Sequence, residues 1–282
     1  MPELPEVEHV VQTLRRCLRG TVIRDVGVLR PQLVSPMSVA SFRARIRSRR
    51  VENVRRRAKF ILIDLDGERT LMVHLRMTGG FVYAEPDCQL PATTRLVFHL
   101  QSGHTLGLTD QRNLGIVKLV GSRELSRLKE LQQLGLEPLQ SEFTIERLRG
   151  LLGGSRRSIK EFLLDQTKVV GIGNIYAAEA LHRAGINPRD SAATIAKSRK
   201  RLTALHQSII ATLRDAIQAQ QLGTPLHIDF IGENSPNGDH SRSDIVFQVY
   251  DREDEPCFTC GTRIKRIKQG GRSTYFCPRC QK

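Results

Sequence analysis

Val7, Val10, Val11, Leu14 and Leu18 recur at helical spacing, which predicts an opening helix over Glu6–Arg19. Arg15, Arg16 and Arg19 fall in its last turns, where cations suit the helix dipole, and Gly20 follows as a C′ residue. From Thr21 to about residue 120 the pattern shortens to an alternation of apolar and polar positions. Candidate strands are Thr21–Val28, Arg49–Arg57, Phe60–Asp64, Thr70–Leu75, Arg95–Leu100, Thr105–Thr109 and Ile116–Val120. Turns are marked at Asp66-Gly67, Gly79-Gly80 and Ser102-Gly103. A short helix is expected over Ser38–Ile46. Several short, closely spaced strands predict a β-sandwich. The helical period returns near Ser122, with helices predicted over Ser122–Leu134, Thr144–Leu152, Ser158–Leu164, Asn174–Arg183 and Lys197–Gln218. A domain boundary is therefore expected within 122–140. Further on, a polar loop over Gly232–Asp239 precedes a predicted strand, Ile245–Tyr250.

Composition narrows the class. The 282 residues are 39 % hydrophobic and 26 % charged, enough for two or three domains with a sizeable core. Lys and Arg outnumber Asp and Glu by 44 to 29, giving a net charge of +15. That excess favours a polyanionic partner. No apolar run approaches the ~18 residues of a membrane span, and there is no basic amphipathic anchor, so the expected polyanion is nucleic acid rather than a membrane. The acidic, proline-bearing start is unlike a signal peptide. Nine of the basic residues lie between Arg43 and Lys59, as a solvated face or part of a polyanion surface.

The six cysteines are unevenly placed. Cys17 and Cys88 stand alone, as buried or free thiols. Cys257 and Cys260, then Cys277 and Cys280, form two C-x2-C knuckles with sixteen residues between them. That spacing fits one tetrahedral zinc–thiolate site in a zinc ribbon, with the intervening segment as a β-hairpin. Four protein thiolates leave no open coordination position, so the predicted Zn2+ is structural. Arg263, Lys265, Arg266, Lys268 and Arg272 give the hairpin a basic edge suited to phosphates.

Two further stretches carry candidate chemistry. The chain starts Met1-Pro2-Glu3-Leu4-Pro5-Glu6. Removal of Met1 is expected before a residue as small as Pro2, and would leave a terminal secondary amine. An α-amino group titrates near ~8, so a useful fraction is nucleophilic at neutral pH. Attack on a sugar C1′ or an aldehyde would give an iminium, with Glu3 beside it as a general acid. Taken alone, Pro2 reads more simply as an ordinary first residue and Pro5 as an ordinary helix-opening one. The second stretch is Val169-Val170-Gly171-Ile172-Gly173-Asn174 between two predicted helices. Its glycines allow positive φ, and the helix opened by Asn174 presents N–H groups suited to a phosphate. An ordinary tight turn would look the same.

In order along the chain, Met1-Pro2-Glu3-Leu4-Pro5-Glu6-Val7-Glu8, Arg56-Arg57-Ala58-Lys59, His74-Leu75-x-Met77, Asp110-x-Arg112, Ile159-Lys160, Gly171-Ile172-Gly173-Asn174-Ile175-Tyr176, and Gly271-Arg272-Ser273-Thr274 with the four cysteines resemble the bacterial formamidopyrimidine-DNA glycosylases, which remove oxidised purines. Leu4 is similar to this branch rather than to the related endonuclease VIII branch. The resemblance implies an α+β, multi-domain fold: an N-terminal β-sandwich with flanking helices over 1–130, a helix–two-turn–helix domain over 131–225, and a lesion-loop segment with a zinc-ribbon hairpin over 226–282. It also implies a monomer on damaged double-stranded DNA, bound in the cleft between domains, in the bacterial cytoplasm with the nucleoid and with no membrane partner.

The same resemblance implies roles. Pro2 attacks C1′ of an everted nucleotide and Glu3 protonates the opening sugar. Lys59 assists base loss and β-elimination, and Arg272 assists δ-elimination. Lys160, Asn174 and Arg272 grip the phosphates, with Arg156 as a further DNA contact. Glu6 and His74 lie near the lesion pocket and backbone. Met77 is an apolar wedge in the vacated stack, although core packing is its plainer reading, and Arg112 bonds the orphaned base. The sequence departs from the family at three places. Leu114 replaces a phenylalanine wedge, Thr93 replaces a DNA-contacting histidine, and 223–247 lacks the usual glycine-tyrosine pattern of the loop that covers 8-oxoguanine. Preference for oxidised pyrimidines is thus a second reading within the family. A non-catalytic zinc-ribbon DNA-binding protein is the reading outside it, and would need neither Pro2-Glu3 nor Lys59.

Overall fold

The computed structural model describes residues 1–222, 227–232 and 246–282. The chain gathers into two compact units, one built from Met1–Gln132 with the described part of 219–243, the other from 133–218 with the described part of 244–282.

The first unit opens with helix α1 (Leu4–Leu18), followed by β1 (Val22–Val28), α2 (Val39–Ile46), seven strands and the short helix α3 (Lys129–Gln132). The strands are β2 (Arg49–Arg57), β3 (Phe60–Leu65), β4 (Arg69–His74), β5 (Gly79–Ala84), β6 (Thr94–Leu100), β7 (Thr105–Asp110) and β8 (Ile116–Gly121). A ninth, β9 (Ile228–Ile231), arrives from far along the chain. The order is β8-β4-β3-β2-β1-β6-β7-β5-β9. All neighbours are antiparallel except β5 and β9.

The sheet bends in the middle, where β1 and β2 share only the pairs Val22↔Arg50 and Ile23↔Arg49. A register shift follows on each side, between Ile23 and Asp25 and between Val51 and Asn53. Each shift breaks the two-residue period, so Ile23 with Val26, and Val51 with Val54, all turn inward despite odd spacing. The halves form the expected sandwich around one core, in which Val51, Ile61, Ile63, Leu71, Val73 and Val117 meet Ile23, Phe81, Leu96, Phe98, Leu106 and Leu108. The apolar stripe of α1 closes this core, with Val7, Val10, Val11, Leu14 and Leu18 almost fully buried. Arg15 adds a hydrogen bond of 2.7 Å from Nε to the Val54 carbonyl.

The second unit holds α4 (Ile145–Gly153), α5 (Ile159–Leu164), α6 (Asn174–Arg183), α7 (Ala192–Lys197) and α8 (Arg199–Leu222), whose last turn reaches into the first unit's share of the chain. Thr144 and Ser158 cap α4 and α5 with their hydroxyls. The predicted hairpin is β10 (Lys265–Gln269) with β11 (Arg272–Phe276). Gly270 and Gly271 both have positive φ, 53° and 77°, the conformation a two-residue turn matched to strand twist demands.

Four expectations need correction. Gly79-Gly80 is not a turn but the start of β5: a Cβ on Gly79 would stand 2.3 Å from the Leu75 carbonyl oxygen, so glycine marks a close approach. The helix predicted over Ser122–Leu134 is a 3-10 turn over Ser122–Arg127 and then α3, broken at Leu128 with ψ 127°. The helix predicted from Lys197 is split at Ser198, where ψ is 108°. Of the strand predicted over Ile245–Tyr250, Ile245 lies outside the described residues and the remainder is not a strand. Its backbone is instead held by Glu179 of α6, whose carboxylate accepts the N–H groups of Gln248, Val249 and Tyr250 at 2.8, 3.0 and 2.9 Å. Of the polar loop expected over Gly232–Asp239, all but Gly232 lies outside the described residues.

The glycines give a paired test of packing. Gly79→Ala forces a β-carbon against backbone and should cost about 1–3 kcal/mol. Gly150→Ala, inside α4 with nothing within 4 Å of the added carbon, should gain about 0.5–1 kcal/mol. Urea unfolding measures both. Equal midpoints for the two variants would contradict the described backbone at Gly79.

Candidate active site and metal centre

At the start of α1, Glu3 is the N-cap and Glu6 reaches back to it, its Oε2 accepting the Glu3 N–H at 2.8 Å. The other oxygen of Glu6 accepts from Gln220 Nε2 at 3.3 Å. Both carboxylates are buried, Glu3 at 3 % exposure and Glu6 at 7 %, and Pro2 is buried with them. The first turn is therefore pinned from both sides, which suits a reactive chain terminus. His227, just before β9, is a further neighbour that sequence reasoning missed. Burial first, and then the positive charge of the chain terminus, hold its pKa below the ordinary value. No motif spacing connects residue 227 to residue 1, so only the fold reveals their proximity.

Lys59 sits on the turn between β2 and β3, inside the pair Arg57↔Phe60. Ala58 adopts φ 52° there, and Lys59 is only 4 % exposed. Arg56 joins this turn to α1. Its Nε donates to Glu8 Oε2 at 2.8 Å and its guanidinium to the Ala58 carbonyl at 2.9 Å. Helix α1, which Pro2 and Glu3 precede, and the turn carrying Lys59 thus share one bridging cation. His74, at the end of β4, packs edge-on against Phe60 with ring centroids 4.6 Å apart. Burial, helped by the charges of Arg76 and Lys59, lowers its pKa to about 4. It is neutral at physiological pH, and its Nδ1 accepts the Arg76 N–H at 3.0 Å.

Met77, Arg112 and Leu114 are all exposed on the loops after β4 and β7, Met77 and Leu114 at 45 % each. Met77 is therefore not a core residue. Thr93 is half-buried, and its carbonyl accepts the Asp110 N–H at 3.0 Å.

In the second unit Lys160 is fully buried, its Nζ donating to the Asn174 carbonyl at 3.1 Å. Asn174 opens α6, and its Nδ2 donates to the Ser273 carbonyl at 2.9 Å, one residue from the exposed Arg272. Lys160, Asn174 and the start of β11 are thus contiguous. Arg156 is exposed on the loop before α5. The glycine loop is braced by Gln166, which sequence reasoning also missed. Its amide nitrogen donates to the Ile172 carbonyl at 2.8 Å and its oxygen accepts the Gly171 N–H at 2.9 Å. A lone glutamine five residues upstream gives no pattern to find.

The ligand atoms of Cys257, Cys260, Cys277 and Cys280 all lie within 4.8 Å of one another. A tetrahedral zinc with Zn–S near 2.3 Å sets sulfurs about 3.8 Å apart. The pairs Cys257–Cys280 and Cys260–Cys277 stand at 3.9 and 3.5 Å, so the four thiols fit one ion. His182 of α6 places Nε2 3.7 Å from Cys257 Sγ, and a buried core of Ala178, Val249, Ile264 and Tyr275 packs round the knuckles. Cys17 and Cys88 are free and half-buried.

Comparison with known proteins follows the same division. Residues 1–117 match the Formamidopyrimidine-DNA glycosylase N-terminal domain, residues 134–227 the Formamidopyrimidine-DNA glycosylase H2TH domain, and residues 254–282 a zinc finger found in FPG and IleRS. The Formamidopyrimidine-DNA glycosylase of Pelotomaculum thermopropionicum is 42 % identical over 282 residues, covering 100 % of this chain and 99 % of its own. A Lactococcus lactis FPG variant solved with Fapy-dG containing DNA superposes with a TM-score of 0.88 at 29 % identity, with 100 % of both chains covered. The wild-type Lactococcus lactis FPG solved with oxidised-pyrimidine containing DNA gives 0.86 at 28 % identity, again over 100 % of both chains. The chain belongs to the formamidopyrimidine-DNA glycosylase family.

Proposed function

We propose that this protein is a bifunctional DNA glycosylase and AP lyase that excises 8-oxoguanine and formamidopyrimidines from damaged double-stranded DNA and cleaves the strand by β,δ-elimination. The observation that carries the reading is the shared anchorage of Pro2, Glu3 and Lys59 through Glu8, Arg56 and Ala58. A non-catalytic DNA-binding protein has no use for a buried lysine whose turn is tied to the helix that follows a buried Pro2.

In this reading Pro2, freed of Met1, attacks C1′ of an everted nucleotide and the base departs. Glu3 protonates the sugar oxygen as the ring opens. The iminium acidifies the C2′ proton, and successive eliminations release the two flanking phosphates, with Lys59 and Arg272 assisting. Eversion costs a few kcal/mol. Lys160, Asn174, Arg156 and Arg272 would offset it by gripping the backbone, while Met77, Arg112 and Leu114 fill the gap. His74 and Glu6 border the pocket, and Thr93 touches DNA without the charge of a histidine. Leu114 fills volume without an aromatic face, so stacking at that point is weaker. The relative solved with Fapy-dG DNA supports purine lesions, and the one solved with an oxidised pyrimidine supports a wider range. We further read the protein as a monomer acting on nucleoid DNA in the bacterial cytoplasm. Among the described residues no helix is long and apolar enough to cross a membrane. Zinc supplies a structural cross-link that holds the β10–β11 hairpin, and with it Arg272.

Two experiments test this. With borohydride present, lesion-bearing DNA should become covalently attached at Pro2, and extending or blocking the N-terminus should abolish attachment. Trapping at the native rate through an internal lysine of an extended protein would show the nucleophile to be misassigned. For the metal, elemental analysis should find one zinc per chain, and Cys260→Ser should weaken DNA binding by unfolding the hairpin. A folded, active protein that contains no metal would overturn the structural-zinc assignment.

A further inference from the structure

The loops bearing Met77 and Arg112 run between the same two halves of the sandwich. Residues 75–78 connect β4 to β5, and residues 111–115 connect β7 to β8. At one end of the loops His74 pairs with Ile116, and at the other Gly79 pairs with Asp110. Between those pairs the side chains of Asp110 and Thr78 bond the loops together. Asp110 Oδ1 accepts the Thr78 hydroxyl at 2.6 Å and the Arg112 N–H at 3.1 Å, and Oδ2 accepts the Gly115 N–H at 2.8 Å. The Arg112 N–H also lies 3.2 Å from Thr78 Oγ1, closing a triangle. Asp110 is 2 % exposed, whereas Met77, Arg112 and Leu114 around it are exposed. The tip is fixed as well. Asn113 holds φ 55° and accepts from Arg95 Nε at 2.6 Å.

From this arrangement we infer that Asp110 is a positioning residue: with Thr78 it clasps the two loops, so that Met77 on one and Arg112 and Leu114 on the other enter the base stack as a single preformed part. The inference rests on the reading that those three side chains replace the everted base. Hydrogen bonds to an ionised acceptor are about twice as strong as neutral ones. A carboxylate that collects three of them holds its loops before DNA arrives. Two loops that moved independently would have to be ordered during insertion, and that cost would fall on eversion alone. In this scheme Asp110 acts through the loops that it bonds and donates no proton. The threonine matters because its hydroxyl meets both Asp110 and Arg112 of the other loop, while the other partners of the Asp110 carboxylate lie within its own loop.

Single-turnover excision should therefore be compared on a lesion paired in normal duplex and on the same lesion in an unpaired bubble, where eversion is nearly free. Thr78→Val keeps the shape of the side chain and removes the link, and Asp110→Asn removes one acceptor. Each should slow excision from paired DNA about tenfold, the size that follows from losing a hydrogen bond to a charged group, with little change on the bubble. Thr78→Ser should restore the native ratio. Met77→Ala, run alongside, should show the same selectivity for paired DNA. If Met77→Ala slows both substrates equally, the wedge reading fails and the clasp with it. If Met77→Ala is selective but Thr78→Val is native-like or slows both substrates equally, the wedge stands and the clasp is refuted. Should Asp110→Asn fail to fold, Thr78→Val with its serine rescue decides the matter.

Discussion

Arg56 carries more of this structure than its place in a run of arginines suggests. A residue near a chain end, such as Pro2, has little covalent restraint on one side, so its position depends on non-covalent contacts. The guanidinium of Arg56 spans Glu8 on α1 and the Ala58 carbonyl on the Lys59 turn. Its side chain is only 6 % exposed. A planar, always-charged fork suits that bridging role better than a lysine, whose single ammonium cannot present two fixed donor directions. Removing Glu8 would leave a buried cation short of its partner, so the bridge is costly to break. Around it, α1 buries its apolar stripe on the sandwich and Glu6 ties the helix start to Gln220. Pro2, Glu3 and Lys59 are thus held by packing and ion pairing rather than by chain connectivity.

The second unit solves a related problem by different means. Its candidate phosphate grip is built from buried and half-buried groups already bonded to backbone: Lys160 to Asn174, Asn174 to Ser273, and Gln166 to the glycine loop. A lysine with no exposure is expensive unless its ammonium is satisfied. Here the Asn174 carbonyl contributes to that, at the start of the helix whose N-terminus favours an anion. The zinc knuckles pack on α6, the same helix, so one element supports both the grip and the hairpin that carries Arg272.

Much of this is legible in the sequence because the signals are local. Helix periodicity places α1 and α6 within two residues of their ends, and the paired C-x2-C knuckles specify the metal without reference to any fold. The misreadings share one cause. Gly79 reads as a turn because glycine is permissive, yet it is required by a carbonyl that packing brings to 2.3 Å of an added Cβ. Gln166, His227 and the link from Asp110 to Thr78 are relations between residues distant in sequence or separated by no repeating interval. Tertiary structure alone brings them together. Met77 lies between two readings, wedge or core, and only its exposure separates them.

The parallel pairing of β9 with β5 joins Phe81 to Ile228 and Ala84 to Ile231, segments that lie far apart in the chain. During synthesis the sandwich therefore emerges with β5 as a bare edge, and the whole helical region must leave the ribosome before the covering strand exists. An exposed edge carrying Phe81 and Val82 is a template for pairing with another chain, and closing so long a loop is slow. The nascent N-terminal half is thus the aggregation-prone stage of this protein's life. A truncation ending before residue 228 would extend that exposure indefinitely, even with Pro2, Glu3 and Lys59 intact.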